Sequence, residues 1–138
     1  MRWFLLPLAL WAGPSAALCT VSVVPVAFGI YNPLNGQNND STGSVDVVCL
    51  PAASYTISLS PGQGSYAARA MTSGSNHLGY NLYTSAARGV VWGDGTGGSV
   101  QVSGNAATAS YPVYGRIPAS QNVGVGAYAD TVLVTVSF

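Results

Sequence analysis

Few residues in this sequence could do chemistry. The only histidine, His77, sits in the string Gly74-Ser75-Asn76-His77, and the anions are Asp40, Asp46, Asp94 and Asp130. A Ser-His-Asp triad would have to use His77, and no Gly-x-Ser-x-Gly string marks a nucleophile elbow. A glycosidase needs two carboxylates facing each other across a bond. Here the four Asp fall in a turn-rich loop, a strand, a glycine turn and a strand entry. Gly93-Asp94-Gly95-Thr96-Gly97-Gly98 has the look of a phosphate or calcium loop. It has no Lys and no helix after it, as a phosphate loop requires, and one carboxylate falls short of the six to eight oxygens that calcium takes. It reads as a tight turn, and His77 as a turn residue. Cys19 and Cys49 with a distant His77 are too few ligands for a metal. No cofactor, metal or catalytic site is expected. The aromatics Tyr80, Tyr83, Trp92, Tyr111, Tyr114 and Tyr128 fit either a saccharide platform or core and cross-strand pairs. The sequon Asn39-Asp40-Ser41 reads as coincidence.

The composition limits what could position such residues. The chain has 138 residues, four cations that are all Arg and four anions that are all Asp, so its formal net charge is zero. Charged residues are 6%, against about 25% in ordinary soluble domains. Nucleic-acid binding needs a basic face to neutralise phosphates, and this chain has none. Long surface helices carry Glu and Lys on their wet side, and both residues are missing. Apolar residues at 49% argue against disorder. The size fits one domain.

Residues 1–17 read as a secretory leader. Arg2 is followed by the apolar run Trp3–Trp11, the breakers Gly13 and Pro14, and Ser15-Ala16-Ala17 as a small-residue cleavage site. The run is too short to span a bilayer, which takes about 20 residues. Leu18 before Cys19 does not suit lipidation. The expected mature domain is 18–138, exported, with no membrane anchor after cleavage. In an oxidising compartment Cys19 and Cys49 are expected to pair.

Strand signals recur along 18–138 and helical periods do not. Thr20–Phe28 is β-branched, with Pro25 marking an edge or a break. Gly43–Leu50 alternates and is expected to stop at Pro51. Tyr55, Ile57 and Leu59 share one face of Ser54–Ser60, and Leu78, Tyr80 and Leu82 share one face of Leu78–Tyr83. Ala67–Met71, Val90–Trp92 and Ser99–Val102 are weaker runs, and Thr108–Ile117 is interrupted by Pro112. Ala127–Phe138 reads as the best strand, with Val132, Val134, Val136 and Phe138 on one face. Seven to nine short strands with Gly/Pro turns predict an all-β domain, with an immunoglobulin-like sandwich ahead of a small closed barrel.

Three strings go further: Tyr80–Arg88 with Val91–Gly97, Tyr114–Gln121, and the ending Tyr128–Phe138. With the Cys pair, they resemble the spore coat protein U domain family, which includes subunits of archaic, Csu-type chaperone–usher pili. The resemblance covers Cys19–Phe138. It implies a pilin-type β-sandwich that lacks its last strand and exposes an apolar groove. By analogy Val132, Val134, Val136 and Phe138 would line that donor-strand groove. The implied partners are a periplasmic pilus chaperone, an usher and neighbouring pilin subunits. Arg116 and Asp130 recur in the family's motifs with no catalytic role. Cleavage after Ala17 would leave Leu18 alone before Cys19, so such a domain would accept a strand without donating one, as suits a tip subunit. The implied function is a non-enzymatic structural or adhesive subunit of a surface assembly, serving adhesion and biofilm formation. A stand-alone secreted coat or surface protein, or a lectin-like module with a self-complete sandwich, is the alternative reading. A hydrolase using His77 or Asp94 is the remote third.

Overall fold

The computed structural model describes residues 17–138, so the leader expected over 1–17 lies almost wholly outside the described residues. Six strands carry the fold: β1 Leu18–Val24, β2 Asn39–Leu59, β3 Arg69–Ser73, β4 Asn76–Tyr83, β5 Val102–Ile117 and β6 Val134–Ser137. A 3-10 turn, Pro33–Asn35, is capped by the Asn32 side chain accepting from the Leu34 N–H.

The organising element is β2, which runs for 21 residues. β5 lies antiparallel along one edge of it, from Asn39↔Ile117 to Ile57↔Val102. β1 and β6 share the other edge at opposite ends, β1 pairing Ser44–Leu50 and β6 pairing Thr56–Leu59. The sheet order is β1-β2-β5-β4-β3, with β6 branching from β2.

The strand expected to end at Pro51 does not end there. Cys49–Ala52 bulge out opposite the single residue Ala107. The ladder to β1 stops at Leu50. Pro51 therefore sits where β2 has neither neighbour, and its missing N–H interrupts no pairing. Pro112 is tolerated for a related reason. β4 pairs β5 only over Tyr114–Arg116, so on that edge no bond is lost, and the two runs expected around 99–117 merge into one strand.

Odd-numbered residues face inward on both halves of β2. Val45, Val47 and Cys49 are buried, and so are Tyr55, Ile57 and Leu59. The curled sheet wraps these around Leu78, Tyr80 and Leu82 of β4, Val113 and Ile117 of β5, and Trp92. Each fully buried aliphatic side chain contributes about 1.5–3 kcal/mol. Trp92 Nε1 donates to the Ile57 carbonyl at 3.0 Å, so the indole is buried with its polar atom satisfied. Cys19 and Cys49 are disulfide-bonded and directly opposite in the β1–β2 register.

At the C-terminus the strand expected over Ala127–Phe138 is shortened to Val134–Ser137. The residues before it are committed elsewhere. Ala129 exchanges two backbone bonds with Thr72 of β3, and the Leu133 N–H donates to Ser60 Oγ.

Candidate functional site

A cleft of about 500 Å³ opens where β1 gives way to its continuation. Val23, Val24, Val26 and Phe28 form one bank. Tyr128, Asp130, Val132 and Val134 form the other. The floor is Val45, Leu59, Met71, Tyr80, Leu82 and Val113. Among the described residues, Asp130 is the one charged residue of the lining.

The first bank owes its course to Pro25, which ends β1. Beyond it, side chains of β2 replace the backbone ladder: Ser41 Oγ donates to the Ala27 carbonyl at 2.8 Å and Asn39 Nδ2 to the Phe28 carbonyl at 3.0 Å. Gly43 makes this approach possible, since a Cβ there would collide with the Val24 carbonyl and the Val26 nitrogen.

The faces of this bank do not match in burial. Val21 and Val23 of β1 stand directly opposite Val47 and Val45 of β2. Paired residues of an antiparallel ladder share a face. Val45 and Val47 are 0% and 1% exposed, yet Val23 and Val21 are 45% and 41% exposed. The inner face of β1 is apolar and only half covered. Across the cleft Val132, Val134 and Val136 lie against the core while still partly exposed. β6 is paired with β2 alone among the described strands.

Of the four residues expected to line a donor-strand groove, Val132 and Val134 are among the residues of this cleft. Val136 touches the core but is not among the cleft residues. Phe138 lies outside this cleft. It is 60% exposed and lies in a separate open depression with Ser54, Thr56 and Asn105. β6 ends at Ser137, so no pairing holds Phe138 on the inner face.

The second bank is held by one carboxylate. Asp130 Oδ1 accepts from the Gln63 N–H at 3.1 Å, from Gln63 Nε2 at 3.1 Å and from the Thr131 N–H at 2.9 Å. Oδ2 accepts from the Tyr80 hydroxyl. Gly62, with φ +70°, lets the turn close over the carboxylate, where any Cβ would strike it. Burial, reinforced by Asp130, pushes the Tyr80 hydroxyl's ionisation far above its ordinary range.

Beneath the floor lies a buried polar hub that composition alone did not reveal. Arg69 is fully buried. It donates to Asn81 Oδ1 at 2.7 Å and to the Ser60 and Trp92 carbonyls at 2.8 Å each. Its guanidinium lies 5.4 Å from the Tyr66 ring centroid. Burial pulls the Arg69 pKa down, while Tyr80, Tyr66 and Asp130 oppose that shift. The one sequence signal was an Arg set between small residues, Ala68 and Ala70, at the head of a weak strand.

The other chemically capable residues are dispersed. His77 is exposed next to the β3–β4 turn. Asp94 closes its own turn by accepting from the Thr96 N–H and hydroxyl, which hold its pKa below the ordinary value. Asp46 pairs with Ser110. Asp40 takes a two-pronged contact from Arg116, at 2.7 and 3.0 Å, which lowers its pKa. The six aromatics do not make one platform. Tyr80 and Trp92 are buried, Tyr111 meets Tyr55, and Tyr128 meets Tyr31. Tyr83 and Tyr114 are neighbours across β4 and β5, with Arg88 lying over Tyr114.

Comparison with known proteins places this arrangement. The Spore Coat Protein U domain matches residues 12–135. The chain belongs to the Spore Coat Protein U domain family. Protein U of Myxococcus xanthus is 32% identical to it over 127 residues, covering 80% of this chain and 70% of that protein. Among solved structures, the Spore Coat Protein U domain described here is similar to a chain in the crystal structure of the CsuC–CsuE chaperone–tip adhesion subunit pre-assembly complex. That complex comes from the archaic chaperone–usher Csu pili of Acinetobacter baumannii. The TM-score is 0.60 at 22% identity, over 88% of this chain and 40% of that one. The present chain thus spans less than half the length of that neighbour, and the likeness is one of fold: an all-β, pilin-type sandwich.

Proposed function

We propose that this protein is a non-enzymatic subunit of a surface assembly and that its cleft accepts a β-strand from a partner, in the manner of Csu-type chaperone–usher pili. The carrying observation is the half-covered inner face of β1, where Val21 and Val23 are exposed beside buried partners. A strand laid between β1 and β6 would cover those side chains and pair the open strand edges. This is β-augmentation, in which main-chain bonds give affinity and alternate side chains give specificity. It also removes an edge that would otherwise invite unspecific pairing.

On this reading a periplasmic chaperone fills the cleft first and a neighbouring subunit takes its place at an usher. The route runs from the inner membrane through the periplasm to the cell surface. The domain boundary at Leu18 and a place at the fibre tip depend on what precedes Cys19 in the exported protein, which N-terminal sequencing reads directly.

The test is thermal unfolding of the oxidised protein alone and with synthetic peptides of about ten residues carrying apolar side chains at alternate positions. A ligand that binds only the native state raises the midpoint in proportion to ln(1 + [L]/Kd). Strand acceptance predicts a low midpoint alone and a large rise with peptide. A high midpoint that ignores every peptide would overturn it and favour a self-complete coat or binding module.

A further inference from the structure

Three side chains span one end of the cleft. Tyr80 rises from β4 in the floor. Its ring meets Phe28 of the first bank edge-on, with centroids 6.1 Å apart and planes at 69°. Its hydroxyl donates to Asp130 of the second bank. One residue therefore touches both walls.

Each wall is held firmly enough for that contact to matter. Phe28 and Val26 lean on Gly115, where a Cβ would overlap the Phe28 ring. Asp130 is clasped by Gln63, Thr131 and Tyr80, so its oxygens are already occupied. It serves as an anchor, with Oδ1 taking three N–H donors and Oδ2 the Tyr80 hydroxyl. Ala129, beside it, is tied to Thr72 at 2.9 and 3.0 Å.

We infer that Tyr80 is a specificity-determining residue of the strand-accepting cleft: by joining Phe28 to Asp130 it fixes the spacing of the two banks and limits the side chain an incoming strand can seat there. This inference rests on the strand-acceptor reading and adds a selection rule to it. The partner is an apolar, alternating strand with a small residue over Tyr80 and larger ones elsewhere. The hydroxyl acts through Asp130, so removing it frees the second bank while the ring still fills the floor.

The experiment uses a set of labelled ten-residue alternating peptides in which one Phe is moved through the inward positions, read by fluorescence anisotropy. The unmodified protein should reject Phe at one end position by about tenfold or more relative to Val, a discrimination of the size that pocket fit supports. Tyr80→Phe and, independently, Asp130→Asn should cut that ratio to about threefold or less and leave the other positions unchanged. Asp130→Asn keeps an acceptor for Gln63, so it retains the fold if Tyr80→Phe does not. A purely structural role would weaken all peptides alike. If the unmodified protein binds peptides but the variants shift every peptide equally or not at all, the inference falls and the acceptor reading stands. If the unmodified protein binds none of them, both fall.

Discussion

Arg69 donates to Asn81 Oδ1 at 2.7 Å inside the domain, and its other acceptors are the backbone carbonyls of Ser60 and Trp92. The two terminal nitrogens of the guanidinium are thus held by neutral oxygens, at the meeting point of β2's end, β4 and the Trp92 segment, while Nε has no partner among the described residues. Asn81 passes the tie on, donating to the Tyr66 carbonyl at 2.8 Å. Arg69→Ala would leave the Ser60 and Trp92 carbonyls without their donor and Asn81 Oδ1 with only the Leu82 N–H, at a cost of about 2 kcal/mol or more. Arg69→Lys should recover less than half of that, because an ammonium cannot fork to three planar partners. Urea denaturation with linear extrapolation checks both.

The Cys19–Cys49 bond closes a loop of 30 residues in sequence and fastens β1 to the centre of the sheet. Reducing it restores chain entropy to the unfolded state, worth about 3–4 kcal/mol on the loop-closure model. The paired variant Cys19→Ser with Cys49→Ser should lose a similar amount. Because the end of β1 forms part of the first bank of the cleft, reduction should also abolish peptide-induced stabilisation, which a thermal melt with and without reductant reads directly.

Tyr55 and Tyr111 share a hydroxyl–hydroxyl hydrogen bond of 2.7 Å. Burial first, and the bond to Tyr111 second, push the Tyr55 pKa up to about 12. A raised pKa in the folded state stabilises the protein fully below the unfolded value near 10. That contribution is lost as pH rises through the folded value. The urea midpoint should therefore fall between pH 10 and about 12. Tyr55→Phe should flatten that fall, with Tyr80 still contributing part of it. An unchanged slope would refute the assignment.

Side-chain direction on the second bank separates two neighbours. Val134 lines the cleft, while Leu133 is 67% exposed and faces away. Val134→Ser should weaken binding of an alternating peptide by about tenfold, the loss of one well-filled apolar contact. Leu133→Ser should leave binding unchanged and improve solubility. Equal effects from the two would mean that the peptide docks elsewhere.

The sequence exposed the alternating faces most clearly. Tyr55, Ile57 and Leu59, and Leu78, Tyr80 and Leu82, could be read as core because period-two burial leaves a direct trace. The alternation of Val132, Val134 and Val136 leaves the same kind of trace, and all three pack against the core. The exposure of Phe138 is not written in that pattern, because alternation gives a face but does not say where pairing stops. Pro51 misled because its cost depends on whether neighbours are present, which is a property of the sheet. Arg69 was hidden because its burial is decided by three distant oxygens, from Asn81, Ser60 and Trp92, that no local pattern brings together.

The course of β2 has a consequence for the order in which the molecule assembles. β1 reaches β2 across the local connection 25–38, but β6 must find Leu59 and Thr56 with Val134 and Ser137, after most of the chain has been placed. Contacts distant in sequence carry the larger closure entropy and form late. β6 should dock last, and the second bank of the cleft with it. For a newly made chain, the interval before that docking is when its apolar interior is most open to capture.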